Sequence, residues 1–406
     1  MRIGFLFNHD QIHQVAHSLP IAIALSRLDP TVEVVIATTN ELLRQEVNRL
    51  LSLHPDYVQL EMVRLEVRGT LARNTIKLLD RLVPAAKIAI YRDNLEFFRS
   101  LDALVVAEKT SALLKTRYGL KDLKLIHTRH GAGDRAVGFN KASAAFDFVL
   151  VSGPKIRERL ASEAGVPPER MATIGYPKFD LPRTANVPAK FQGNGKPIVL
   201  YNPHVSPHLS SWYTHGRDIL DFFVGSSVFN LIFAPHVMLF ERKVVLSIDK
   251  MRLNFPGTLD PKYAQAPNIH ADLASSSSTD MSYTEAADIY LGDASSQIYE
   301  FLLRPRPCIF FNSRSTDYAG NPNFAHWSAG RVIGNVSELR SSLSSAPDDH
   351  RRYIGTQQAM FTRSIDLNGE PSSERAATAI RYYLTGERPP SFRESIDHAS
   401  GGSQAA

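Results

Sequence analysis

The stretch DIYLGDASSQIYEFLLRPRPCIFFN, residues 288–312, decides the reading of the fold. Residues 288–292 have the make-up of a buried strand, 293–296 of a small polar turn, 297–303 of a helix and 308–311 of a second strand. That order is a βαβ unit. In sheets built from such units, ligands sit outside the carboxyl ends of the strands, and the amides opening the next helix carry partial positive charge that suits phosphate. Ser295 and Ser296 add hydroxyls beside those amides. Glu300, one turn after Ser296, falls on the same helix face and can accept from sugar hydroxyls. A nucleoside diphosphate fits such a turn, and an ordinary capped helix with Glu300 facing solvent accounts for the same residues.

The same alternation of apolar strands and helical stretches runs through both halves of the 406 residues, which predicts an α/β class and neither a bundle nor a sandwich. In the first half, strands are predicted at 3–8, 32–38, 103–107, 123–127 and 148–152, with helices at 15–28, 41–53 and 156–165. Residues 181–196 hold Pro182, Pro188, Gly193, Asn194 and Gly195 without periodicity and read as a linker. The pattern then restarts with strands at 198–201, 231–234 and 268–271, helices at 218–224 and 238–246, and a last helix at 374–384. The expected organisation is two Rossmann-like doubly wound domains facing a central cleft, over 1–185 and 197–385, followed by a polar, disordered tail over 386–406.

A hydrophobic content of 43% is enough for two cores at this length. The opening MRIGFLFN begins as a strand and shows no basic leader or cleavage site, and no window approaches the ~20 apolar residues of a spanning helix, so a cytoplasmic location is expected. Cys308, the single cysteine, excludes an internal disulfide and a cysteine-based zinc site and reads as a buried structural thiol. The net charge of +5 is too mild to point to nucleic acid. Arg73, Lys77 and Arg81 recur at helical spacing opposite Leu71, Leu78, Leu79 and Leu82, the pattern of an interfacial helix on an anionic membrane surface. A solvated basic face on a core-packed helix has the same pattern.

Residues 126–138, IHTRHGAGDRAVG, leave the fourth strand where α/β folds keep their active sites. His130 is the general-base candidate, since imidazole takes a proton near neutrality, although a histidine capping a strand end reads equally well. Arg129 and Arg135 flank it and can hold phosphate through a planar fork, and Gly131 lets backbone approach a ligand. His204, His208 and His236 follow strands of the second half, where imidazole N–H groups can meet phosphate oxygens. His9, His13 and His17 have metal-ligand spacing only if a helix begins that early, and no glutamate stands between His13 and His17, so no metal site is assigned. No phosphate loop, nucleophile elbow or dinucleotide glycine fingerprint follows the first strand, and no cofactor is expected.

Taken together, HTRHGAGDRAVG (127–138), FDFVLVSG (146–153), IGYPKFD (174–180), VLYNPH (199–204), IFAPH (232–236) and YLGDASSQIYEFLL (290–303) resemble the CDP-glycerol glycerophosphotransferase family. The resemblance covers about residues 123–312 and implies the GT-B fold of many glycosyltransferases. It implies a base at His130 with Gly131, a phosphate-holding histidine at His236, a pyrophosphate cradle at Asp293, Ser295 and Ser296, and donor contact at Glu300. In this chain proline precedes His236 instead of following it, Asp134 and Arg135 replace the lysine usual after the HG pair, and Ala294 replaces a tyrosine. The function expected is a metal-independent transferase moving a glycerophosphate or sugar unit from a CDP- or UDP-linked donor to a hydroxyl acceptor. That acceptor would be lipid-linked or polysaccharide, with the enzyme peripheral on the inner face of the membrane. A sugar-nucleotide epimerase and a non-catalytic nucleotide-sugar binding protein are the alternatives.

Overall fold

The computed structural model describes residues 1–9, 12–54, 60–68, 85–129, 131–241, 244–247 and 252–387. His130, the stripe of Arg73, Lys77 and Arg81, and residues 388–406 of the tail expected to be disordered over 386–406 lie outside them. The chain divides into two compact units, one of residues 1–132, 139–182 and 364–406, the other of 133–138 and 183–363. Among the described residues no helix is long and apolar enough to cross a membrane.

The first unit is built on seven strands: β1 Arg2–Phe7, β2 Glu33–Thr38, β3 Glu61–Arg64, β4 Ala103–Val106, β5 Lys124–Thr128, β6 Phe148–Val151 and β7 Met171–Thr173. They run parallel in the order β3-β2-β1-β4-β5-β6-β7. Both faces are covered, so alternate residues of one strand serve different cores: Ile3, Phe5 and Phe7 enter one and Leu6 the other. This is why these strands read as unbroken apolar runs. Pro20 does not interrupt the helix Leu19–Leu28, because it occupies the first turn, where a missing N–H costs nothing. His9 precedes the 3-10 turn Ile12–His17, so the helical spacing needed for three histidine ligands is not formed.

The second unit carries β8 Ile198–Asn202, β9 Asn230–Phe233, a separate antiparallel pair β10 Val245–Ser247 and β11 Arg252–Asn254, then β12 Ile269–Ala271, β13 Ile289–Gly292, β14 Cys308–Phe311 and β15 Arg331–Ile333. Six of these form a parallel sheet in the order β12-β9-β8-β13-β14-β15. Both units are therefore doubly wound, and the winding reverses between β1 and β4 in one and between β8 and β13 in the other.

Three expectations need correction. Among the described residues of 238–246 no helix forms, and β10 occupies the end of that stretch, because Val244, Val245 and Leu246 suit an extended pair as well as a helix face. The helix of the opening βαβ unit shrinks to a single turn, Ile298–Phe301, ahead of the Pro305 and Pro307 that forbid its extension. The last helix, Ser372–Thr385, belongs to the first unit and not the second: Ala376, Ala377 and Ile380 enter the core of β1 and β2, and Arg381 pairs with Asp29 at 2.5 Å.

That helix is tied down at its start by the IGYPKFD segment. Asp180 accepts from the N–H groups of Ser372 at 3.2 Å and Ser373 at 2.6 Å, and Ser372 Oγ accepts from the Tyr176 N–H at 2.9 Å. Gly175, at φ +83°, has no room for a Cβ beside Ser372 and Asp366. Asp180→Ala leaves two helix-opening amides without their acceptor and is expected to lower stability by about 1–2 kcal/mol, read as the midpoint of urea unfolding; an unchanged midpoint contradicts this role.

Candidate functional site

The winding reversal of the second sheet brings two strand ends side by side. Gly292 of β13 pairs with Asn202 of β8, so Asp293 and His204 emerge next to one another. The Asp293 carboxylate is fully buried and accepts from the His204 N–H at 2.8 Å, the Ser211 N–H at 2.8 Å, the Ser211 hydroxyl at 3.0 Å and its neighbour Ala294 N–H at 2.9 Å. Burial pushes its pKa up to about 6, and those donors hold it from going further. Asp293 is thus occupied within the fold, and it positions His204 instead of facing a ligand.

His204 and His236 follow β8 and β9, and their rings stand 5.9 Å apart, both half-buried. His204 Nδ1 accepts from the Ser206 N–H at 2.9 Å, and His236 Nδ1 accepts from the Met238 N–H at 3.3 Å. A neutral imidazole has one acceptor nitrogen, so these backbone contacts leave the proton on Nε2 of both rings. Burial holds the His236 pKa down at about 4; burial, followed by Arg135 and His236, holds His204 well below its ordinary value. Both rings are therefore neutral N–H donors near pH 7. Arg135 completes the set, with Nη1 3.2 Å from His204 Nε2. Two donors face each other there, an arrangement that an anion between them relieves.

Asp134, next to Arg135, is 2% exposed and accepts from the Tyr299 hydroxyl at 2.8 and 2.7 Å, from the His326 N–H at 3.1 Å and from His326 Nδ1 at 2.9 Å. His326 Nε2 and Trp327 Nε1 donate to the Asp293 carbonyl at 3.0 and 2.9 Å. His326 is thus held at both ring nitrogens, between the Asp134 carboxyl and the Asp293 carbonyl.

Of the residues chosen from sequence, the structure brings together Arg135, His204, His236 and Asp293. Ser295 and Ser296 lie on the same turn, but Ser295 is buried with its hydroxyl accepting from the Gln297 N–H at 3.3 Å, whereas Ser296 is exposed. Because only one helical turn follows, the expected helix dipole is not available to hold a pyrophosphate. Glu300 is 6% exposed, beneath the surface instead of facing solvent. Arg129 and Gly131 belong to the first unit. The Arg129 guanidinium lies 4.8 Å from the Phe139 ring, which Arg159 also covers at 3.9 Å; burial, then Arg159, lowers its pKa to about 10. Gly131 has φ +112°, which favours glycine. Asp134 was noted from sequence only as a departure from the family pattern, Tyr299, His326 and Trp327 were not singled out, and nothing in the spacing of residues so far apart signals their meeting.

No family model matches the chain, and no curated protein does. Solved structures do. A putative UDP-N-acetylglucosamine 2-epimerase from Listeria monocytogenes aligns with a TM-score of 0.61 at 15% identity over 96% of this chain and 98% of that one. The wall teichoic acid polymerase TagF soaked with CDPG aligns with 0.60 at 15% identity over 95% and 89%. The UDP-GlcNAc 2-epimerase of Neisseria meningitidis bound to UDP-GlcNAc aligns with 0.55 at 13% identity over 95% and 100%. The chain has the GT-B fold, with two Rossmann-like domains.

The site's histidines also set a pH dependence. A buried imidazole with a depressed pKa leaves the unfolded chain binding more protons, so stability falls as pH drops from ~6.5 towards 4, by at most roughly 1.4 kcal/mol for each tenfold loss of proton affinity on folding. Asp293 has the opposite sign, since its raised pKa makes stability fall as pH rises from ~4 to 6. Two histidines outweigh one aspartate, and His54, His215 and His270, also lowered by burial, add to them. Thermal midpoints are expected to rise between pH 4 and 6.5, with a clearly smaller slope in His204→Asn/His236→Asn; an unchanged slope contradicts the neutral-imidazole assignment.

Proposed function

We propose that this protein is an enzyme acting on a nucleotide-linked donor, with the diphosphate seated at the reversal point of the second sheet. The observation that carries this reading is the Arg135 guanidinium set 3.2 Å from His204 Nε2 past the end of β8, with the His236 ring, past the end of β9, 5.9 Å from that of His204. Fixed donors of this kind stabilise negative charge as it develops on a departing phosphate, without reorganising at the moment of reaction. Neutral imidazoles suit the role because they donate without adding further cations beside Arg135.

The reaction we favour is transfer of a glycerophosphate or sugar unit from a CDP- or UDP-linked donor to a hydroxyl of a lipid-linked or polysaccharide acceptor. The acceptor oxygen bonds to the transferred group as that group's bond to the nucleotide phosphate breaks. The proton goes to His130, the base implied by the family resemblance, and the electron pair leaves with the nucleotide. No metal enters this scheme, since charge on the leaving group is met by Arg135 and the two imidazoles. The alignments with epimerase structures over nearly the whole chain favour, as second reading, epimerisation of a sugar nucleotide without an acceptor.

In this reading CDP or UDP at 100 times its dissociation constant stabilises the protein by ~2.7 kcal/mol. Arg135→Ala and His236→Ala each weaken the diphosphate by roughly 10- to 100-fold while sparing the nucleoside; no binding of any CDP- or UDP-compound overturns the proposal. His130→Ala cuts turnover by ~10²- to 10⁴-fold with nucleotide affinity kept. Incubation with UDP-N-acetylglucosamine alone separates the readings, because only an epimerase converts it without an acceptor. We also propose membrane contact by Arg73, Lys77 and Arg81, and reversing their charge is expected to abolish co-sedimentation with phosphatidylglycerol vesicles; unchanged sedimentation removes it.

A further inference from the structure

We infer that Asp134, Tyr299 and His326 form a latch that positions Arg135, and that through Arg135 this latch makes the site select phosphorylated nucleotides over bare nucleosides. The inference rests on the anion-site reading above and adds residues that contact no ligand.

The segment 133–138 is flanked in sequence on both sides by first-unit residues, yet it packs with the second unit. Something must hold it there. Gly133 lies so close to the Ser295–Ser296 turn that a Cβ on it would stand 3.1 Å from Ser296 Cβ, which a glycine avoids. The next residue, Asp134, receives the Tyr299 hydroxyl on both carboxylate oxygens and two N–H groups of His326 on one of them. Arg135 follows one peptide later, so its side chain starts within ~3.8 Å of an anchored Cα. Its guanidinium then reaches His204 Nε2.

The far side of the latch is fixed to the same reference point. His326 and Trp327 both donate to the Asp293 carbonyl, while the Asp293 carboxylate holds the His204 N–H. Arg135 and His204, the two facing donors, are thus both referred to one residue. A buried carboxyl group bonded to a phenol and an imidazole is a poor choice for stability alone, because desolvating polar groups offsets what their hydrogen bonds supply. What such a cluster supplies, and an apolar one of similar volume does not, is a fixed direction and register. A guanidinium held this way meets a diphosphate without first giving up side-chain freedom, the usual penalty for a long flexible cation.

A double-mutant cycle on the full chain tests this. Dissociation constants for UDP, CDP, uridine and cytidine are measured for wild type, Asp134→Asn, Arg135→Ala and the double variant, with thermal midpoints alongside. Asp134→Asn is expected to weaken the better-bound diphosphate by roughly tenfold, to leave its nucleoside within about twofold, and to add nothing once Arg135 is alanine. Should Asp134→Asn fail to fold, Tyr299→Phe, which removes one hydroxyl, carries the same comparison. Equal losses with and without Arg135, equal weakening of nucleoside and diphosphate, or no loss at all overturns the latch while the anion site stands. A wild type that binds neither diphosphate overturns both.

Discussion

At the end of β13 a single carboxylate, that of Asp293, is sealed from solvent, and the way its charge is met arranges everything around it. A carboxylate buried without donors costs several kcal/mol. The chain leaving β8 supplies them, from the His204 and Ser211 amides and the Ser211 hydroxyl, and so is drawn across the strand ends in one course. That course fixes where the His204 ring stands. The carbonyl of the same residue takes the His326 and Trp327 side chains, which brings the 322–329 segment over the turn. One buried residue therefore orders two segments, the chain leaving β8 and 322–329, that sequence distance would leave independent.

The chemistry of the site follows from what these loops leave outermost. Two imidazoles whose Nδ1 atoms are spent on backbone amides present Nε2–H, and burial keeps them neutral. A lysine in either place would carry a mobile point charge and lose more freedom on binding. The one cation among the three donors is Arg135, and it is the group whose placement depends on contacts reaching far along the chain. In the proposed reading, affinity for phosphate and the means of directing it are carried by different residues.

Much of the fold was legible because parallel strands covered on both faces are continuous apolar runs, as at β1, β8 and β13. Short or edge strands were not: β3, with exposed Glu61 and Met62, and β15, with Arg331 half-buried, lack that run. The helix Ser372–Thr385 was legible as a helix, but an amphipathic stripe does not say which sheet will cover it. At the site, His204, His236 and Asp293 could be found because residues just past strand ends converge wherever a doubly wound sheet reverses. Asp134 and His326, 192 positions apart, carry no local pattern that marks them as partners, and Glu300 keeps helical spacing yet is buried. His130, chosen from its HG pair, lies outside the described residues.

The central claim is that the reversal point between β8 and β13 holds a nucleotide's diphosphate through Arg135 and the two imidazoles. A crystal structure of the full chain with UDP or CDP bound is the direct measurement. The account predicts a phosphate oxygen within hydrogen-bond reach, ~2.7–3.2 Å, of His204 Nε2 and of the Arg135 guanidinium, with the facing donors parted to admit it. A diphosphate seated elsewhere, with Arg135 still turned onto His204, would contradict it.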